Sequence, residues 1–230
     1  MTLPKIFCAI DTNDINQATK IVQSISDTCG IKLGLEFFNA HGVKGVKDIL
    51  KIVGDVPLFL DLKYHDIPNT VAGAIRAVTY RLKPAFLNVH ASGGLDMMKA
   101  AKDACPEGTK LLAVTVLTSI DADTLDSVGQ GSDASAQVKK LALLAKEAGC
   151  DGVVCSSHEI EAIRAACGDD FITMVPGIRP EGSDAGDQKR IMTPKEAVQK
   201  GATHLVIGRP ITQADEPTKM AREILSSLAS

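Results

Sequence analysis

The chain has 230 residues, with 25 Lys and Arg against 28 Asp and Glu for a formal net charge of −3, and 45% of its residues are hydrophobic; this is ordinary soluble globular composition. It shows no Lys/Arg stripe and has two Tyr and no Trp, so it lacks both the electrostatic footprint and the stacking surfaces of a nucleic-acid binder. No early stretch reads as a secretory signal and no apolar run approaches the ~20 residues that span a bilayer, so no membrane partner is expected and a cytoplasmic location is predicted.

Short, apolar, β-rich runs recur along the chain: KIFCAID from Lys5, IKLGL from Ile31, PLFLDL from Pro57, FLNVH from Phe86, LLAVTVL from Leu111, GVVCS from Gly152, FITMVPG from Phe171 and HLVIG from His204. Between them lie segments of helical spacing, among them INQATKIVQSI, VKGVKDILKIV, VAGAIRAVTYRL, ASAQVKKLALLAKEAG, EIEAIRAAC, KEAVQKG and the C-terminal TKMAREILSSL. Asn69 or Thr70, Ser135 and Thr193-Pro194 read as helix starts, and Gly149 and Gly201 as helix stops. Eight strand-then-helix units of about 30 residues, with near-continuous apolar strands, predict an α/β fold, a single (β/α)8 TIM barrel occupying residues 1–230 as one domain. The rival is a doubly wound sheet, but AIDTND after the first strand lacks the G-x-G-x-x-G of a dinucleotide-binding turn. The six cysteines, without a C-x-x-C pair, read as small buried hydrophobes.

A barrel of this kind builds its site at the C-terminal ends of the strands. Asp11, Lys32, Asp61, Lys63, Asp66, His90, Thr118, Ser119, Arg179 and Arg209 fall there. The stretch DLKYHDIPNT, Asp61 to Thr70, sets charges where an apolar strand ends. Alternation puts Asp61 and Lys63 on one side, roughly 6.6 Å apart along the strand, with Lys32 on the neighbouring strand in reach of Asp61. A solvated surface cluster is the common fate of a charge run. That reading is weakened because these residues continue apolar strands, where alternating signs satisfy one another and a lone charge is prohibitive. A lysine held between carboxylates stays an ammonium, a fixed proton donor and a poor Schiff-base nucleophile.

The last two strands carry a complementary signal. After VPGIRP comes a long, polar, glycine-bearing connection, EGSDAGDQKRIM, of the length of a lid or binding loop. VIGRP then sets Gly208, whose backbone can approach a ligand, beside Arg209, whose planar fork suits phosphate. With Gln188 in the loop, this predicts a phosphate grip after strands seven and eight. No P-loop, nicotinamide fingerprint or carboxylate–histidine metal spacing is present, so neither cofactor nor metal is expected. His90 ends strand four near the site and reads more readily as a neutral histidine of the barrel mouth than as a chemical group.

FLDLKYHDIPNTV, VTVLTS, VPGIRP with GDQKRIMTP, and VIGRPIT, in that order, closely resemble the orotidine 5'-monophosphate decarboxylase family, which makes UMP in the last step of pyrimidine nucleotide synthesis. The resemblance runs from Asp11 to Arg209 and is to the monofunctional bacterial form, without a fused phosphoribosyltransferase. It implies that Lys63 protonates the pyrimidine carbon as CO2 leaves, with Asp61 beside the substrate carboxylate and Lys32 binding Asp61 and the ribose. It further implies that Asp11 holds a ribose hydroxyl and that Thr118 and Ser119 lie near ribose and pyrimidine. Gln188, Gly208 and Arg209 would grip the phosphate, and Arg179 would stand at the base of the closing loop. Asp66, Ile67 and Thr70 would reach into the partner's site, which implies a homodimer with two shared active sites. Two other readings stand beside it. One is a Mg2+-dependent D-x-K-x-x-D barrel resembling 3-keto-gulonate 6-phosphate decarboxylase or hexulose phosphate synthase, in which a carboxylate ends strand two; here Lys32 stands there. The other is a catalytically silent nucleotide-binding barrel, which would keep Arg209 and Gln188 but have no need of Lys63.

Overall fold

The structure, a computed structural model, describes residues 3–180 and 192–228. Eight parallel strands, β1 (Ile6–Ile10), β2 (Gly30–Gly34), β3 (Leu58–Tyr64), β4 (Phe86–His90), β5 (Lys110–Val114), β6 (Gly152–Val154), β7 (Ile172–Val175) and β8 (His204–Ile207), pair in chain order. β8 returns to β1, with Ile6 opposite Leu205 and Cys8 opposite Ile207, so the sheet closes into the predicted barrel. The helices are α1 (Ile15–Ile25), α2 (Leu35–Val53), α3 (Pro68–Thr79), α4 (Leu95–Ala104), α5 (Ala122–Ser127), α6 (Ala134–Glu147), α7 (Ile160–Cys167), α8 (Pro194–Gln199), α9 (Arg209–Thr212) and α10 (Pro217–Ser227). Among the described residues no helix is long and apolar enough to cross a membrane.

Strand alternation divides the apolar residues into two cores. Ile6, Cys8 and Ile10 of β1 point outward and pack in one cluster with Ala18, Val22 and Ile25 of α1. Phe7, Phe59, Phe86, Leu112, Met174 and Val206 fill the barrel itself. Phe7 meets Phe86 edge-on at 5.4 Å and Phe59 at 6.3 Å, contacts that add about 0.5–1.5 kcal/mol each beyond area burial. Gly30, paired with Phe7, leaves the room for this ring: a Cβ there would lie 2.5 Å from it. His204 stacks at the edge of Phe7 and Phe86, and its Nδ1 donates to the Pro4 carbonyl at 2.8 Å. Burial lowers its pKa, which suits a neutral ring in this position.

Helix termini depart from expectation where proline and aspartate take over. α3 begins at Pro68, before the expected Asn69 or Thr70, because the fixed φ of proline is already helical at a first position. α6 is capped by Asp133, which accepts from the Ala136 N–H, and not by Ser135. Thr193 caps α8 in a full capping box with Glu196, as read from Thr193-Pro194. Gly149 and Gly201, at φ 81° and 101°, follow the ends of α6 and α8 as predicted. The segment read from Val43 is only the second half of α2, which bends at Gly42 (φ 57°) after an earlier half opening at Leu35. α4 fills the expected strand-then-helix unit between β4 and β5, whereas α5 and α9, six and four residues long, are too short for periodicity to reveal. The cysteines are all free, five of them buried and Cys105 half-buried. Burial pushes the Cys29 and Cys150 thiols up to about 12, so they are protonated and inert.

Candidate active site

The C-terminal ends of the strands open onto a cavity of about 550 Å3. Ala9, Phe59 and Val206, inward residues of the barrel core, reappear in its lining, so the aromatic plug below is also its floor. β1, β2 and β3 contribute Asp11, Lys32, Asp61 and Lys63; segments after β5, β7 and β8 contribute Thr118, Arg179, Gly208 and Arg209. Eight of the thirteen residues predicted from the sequence therefore line one space.

The four charges form a chain of alternating sign. Lys32 Nζ lies 3.2 Å from Asp11 Oδ1 and 3.2 Å from Asp61 Oδ2, and Lys63 Nζ lies 2.6 Å from Asp61 Oδ1. The side chains of Lys32 and Asp61 are each 10% exposed and that of Lys63 is 29%, so the Lys63 ammonium is the buried chain's outlet toward a ligand. Burial alone would raise the Asp61 pKa, but the charges of Lys32 and Lys63, with hydrogen bonds from Lys63 and Asn88, outweigh it and hold the carboxyl at about 2. Burial alone would lower Lys32, yet the carboxylates of Asp61 and Asp11 raise it above its ordinary value. Both shifts describe one fixed set of ions, in which the buried Lys32 and Asp61 would be stranded without each other, whereas Asp11, with a 59% exposed side chain, keeps access to solvent. Removing one partner of such a buried pair typically costs about 3–5 kcal/mol.

Simple alternation does not explain how Lys63 reaches Asp61. Leu60 pairs with Leu87 and Tyr64 with Val89, so β3 bulges at Asp61, Leu62 and Lys63. Lys63 has φ 49°, the left-handed region, and is the sole non-glycine residue there among the described residues. That conformation costs roughly 1–2 kcal/mol, and strain of this kind is held where the surroundings over-determine it. Asn88, fully buried on β4, accepts from the Lys63 N–H at 2.8 Å and donates to Asp61 Oδ1 at 2.7 Å. Sequence patterning does not single out Asn88; the available signal is a lone amide within the apolar run FLNVH, since a buried amide requires partners.

On the opposite wall, the Arg179 N–H donates to the Met192 carbonyl at 3.0 Å beside a parallel bridge between Ile178 and Met192. The two ends of the long connection after β7 are thereby held together, with the buried Arg179 at the base. Gly208 precedes α9, whose first residue is Arg209. Gln188 lies outside the described residues. Ser119 is exposed and does not line the cavity, while Asp66, Ile67 and Thr70 stand at the exposed start of α3, also outside it. Asp66 Oδ1 accepts from the Ile67 N–H at 2.7 Å. His90 stacks on His65 at 5.5 Å. Burial, then the neighbouring His65 and Lys63, lower its pKa and favour the neutral ring.

Residues 4–224 match the family described as Orotidine 5'-phosphate decarboxylase / HUMPS family. The orotidine 5'-phosphate decarboxylase of Rhodospirillum rubrum is 51% identical over 237 residues, covering 99% of this chain and 95% of its own. That of Sphingopyxis alaskensis is 49% identical over 229 residues, covering 99% of this chain and 100% of its own. The crystal structure of orotidine 5'-phosphate decarboxylase from Lactobacillus acidophilus superposes with a TM-score of 0.86 at 37% identity, covering both chains completely. By a match spanning nearly its whole length, this chain belongs to the orotidine 5'-phosphate decarboxylase / HUMPS family.

Proposed function

We propose that the chain decarboxylates orotidine 5'-monophosphate to UMP and CO2 with Lys63 as the proton donor. The observation that carries this reading is the unbroken ion chain from Asp11 through Lys32 and Asp61 to Lys63, opening into the cavity at its last ammonium. The bond between ring carbon and carboxylate breaks, CO2 departs without the bonding pair, and the pair left on carbon takes a proton from Lys63 Nζ. The neutral amine then regains a proton from solvent. An ammonium preset at the point where charge develops stabilises the transition state without reorganisation. Asp61 stands beside the departing carboxylate, and Lys32 holds Asp61 and the ribose. Asp11 takes a ribose hydroxyl, with Thr118 near ribose and pyrimidine; Ser119, exposed and outside the cavity, is not among the groups that line the ligand's space. Gly208, Arg209, Arg179 and Gln188 take the phosphate and the base of its loop, so that binding energy far from the ring orders the charges.

The Mg2+-dependent reading is disfavoured by Lys32: its ammonium, 3.2 Å from both Asp11 and Asp61, stands where a cation would need those carboxylates. UMP formation from orotidine 5'-monophosphate in excess chelator tests this, and loss of activity that Mg2+ restores would favour the rival. The whole chain acts as one catalytic barrel, and two copies share their sites. The exposed Asp66, Ile67 and Thr70, close in sequence to Lys63 yet outside its cavity, support delivery to a partner's site. Mixing Lys63→Ala with Asp66→Ala subunits should regenerate activity, since one site in each hybrid is whole; no recovery after proven subunit exchange would refute sharing.

A further inference from the structure

Asn88 is fully buried between Leu87 and Val89, which are fully buried as well, and it faces a defect in the neighbouring strand. Three residues of β3, Asp61, Leu62 and Lys63, stand opposite Asn88 alone, because Leu60 pairs with Leu87 and Tyr64 with Val89. A bulge leaves backbone groups of the longer strand without ladder partners. The Asn88 carboxamide supplies one, its Oδ1 accepting from the Lys63 N–H at 2.8 Å. Its Nδ2 donates at 2.7 Å to Asp61 Oδ1, the oxygen that also holds the Lys63 ammonium at 2.6 Å. The orientation is dictated by these partners: turned over, the amide would set oxygen against carboxylate and NH2 against N–H. Of the side chains of this size, only an amide can both donate and accept here at every pH. An ionised aspartate loses the donor, and a leucine loses both.

We infer that Asn88 is a positioning residue for the decarboxylation, locking the β3 bulge so that the Lys63 backbone stays left-handed and its ammonium turns onto Asp61 at the cavity. It does not line the cavity, so it acts through Asp61 and Lys63 and not on the ligand. The inference rests on Lys63 being the proton donor.

Asn88→Ala and Asn88→Asp, assayed beside the parent and Lys63→Ala, test it. UMP titration counts binding-competent sites, and kcat is expressed per such site. Asn88→Ala should lose about 100-fold in kcat, as ångström-scale misplacement does, with UMP affinity within about threefold. Asn88→Asp keeps the acceptor for the Lys63 N–H but sets a second carboxylate against Asp61. Asp61 is also faced by Lys32 from β2, Lys63 from β3 and His90 from β4, with Asp11 of β1 behind Lys32. Two carboxylates at this distance share one proton. Lys32 and Lys63 hold Asp61 ionised, so the proton resides on the introduced carboxyl, whose O–H then donates to Asp61 in place of the amide. Asn88→Asp should therefore keep most of its activity at low pH and lose it through a new alkaline limb, which the parent lacks, as that carboxyl ionises. A purely structural role would instead give fewer competent sites, each with parental kcat and pH profile. That outcome in either variant overturns the inference, as does a parallel fall of kcat and UMP affinity. If Asn88→Ala yields no competent sites, Asn88→Asp, nearly identical in shape, decides alone. An active Lys63→Ala would instead strike at the proton-donor reading, so the two failures are told apart.

Discussion

Lys63→Ala removes the ammonium that ends the buried ion chain while leaving the phosphate side of the cavity intact. A full charge about 4 Å from the developing carbanion, at an effective dielectric near 20, is worth about 4 kcal/mol. At ~1.4 kcal/mol per factor of ten this corresponds to ~10³ in rate. Losing the positioned proton donor removes a further ~10²–10⁴, so kcat should fall by ~10⁵ or more. Asp61 keeps Lys32 at 3.2 Å and Asn88 at 2.7 Å, which preserves a paired carboxylate and a folded site. UMP affinity, held by groups such as Arg209 across the cavity, should change by less than about tenfold, or ~1.4 kcal/mol. Continuous absorbance assay of orotidine 5'-monophosphate loss and calorimetric titration with UMP measure the two quantities on one preparation. A kcat loss below about 100-fold, or a loss of UMP binding as deep as the loss of turnover, would refute Lys63 as proton donor.

Two further outcomes rest on the same geometry. Asp61 is held at about 2 against an ordinary value of 3.8, burial being outweighed by Lys32 and Lys63; this depressed carboxylate contributes about 2 kcal/mol at pH above its unfolded value and loses it as pH falls from 4 toward 2. Urea unfolding of the parent between pH 6 and pH 3 should therefore show a steeper acid loss than Asp61→Asn, and equal slopes would contradict the burial and pairing of this carboxylate. Arg209→Ala should weaken UMP binding by about 10–100-fold, the worth of a charge-assisted hydrogen bond of roughly 1.5–3 kcal/mol, and leave uridine binding unchanged. An equal loss for uridine would place Arg209 away from the phosphate.

Most of the barrel is legible in the sequence because parallel strands buried on both faces are written as apolar runs: five of the eight runs contain their strand whole, β2 and β5 begin one residue before theirs, and β3 runs two residues beyond, to Tyr64. The misses have local causes. α5 has six residues, fewer than two turns, too few to show a helical period. α9 is a single turn that tertiary contacts, and not periodicity, hold in place. The site is legible as residue types at strand ends, since charges are expelled from a dry sheet unless paired. Its geometry is not. The alternation rule places Asp61 and Lys63 on one side for a regular strand, whereas they meet through a bulge with a left-handed lysine. A bulge depends on what the facing strand offers, here the amide of Asn88, and no window along β3 contains that residue.

Charge balance across the cavity connects this geometry to the reaction. Among the described lining residues, Lys32, Lys63, Arg179 and Arg209 are cationic and Asp11 and Asp61 anionic, a net charge of +2. A phosphate monoester carries about two negative charges at neutral pH, so these residues balance the product. The substrate brings one anion more, its ring carboxylate, toward a wall that already holds Asp61 ionised. Departure of neutral CO2 leaves that negative charge on the ring carbon, away from Asp61 and facing the ammonium of the proposed donor Lys63. The net charge is unchanged until the lysine regains its proton from solvent, but its new position is better matched, so the arrangement is more complementary to the state after bond cleavage than to the state before it. Complementarity of that sign raises the rate and not merely the affinity. It operates only while Asp61 stays charged, and the pairing of Asp61 with Lys32, Lys63 and Asn88 is what keeps a nine-tenths buried carboxylate ionised throughout the neutral range.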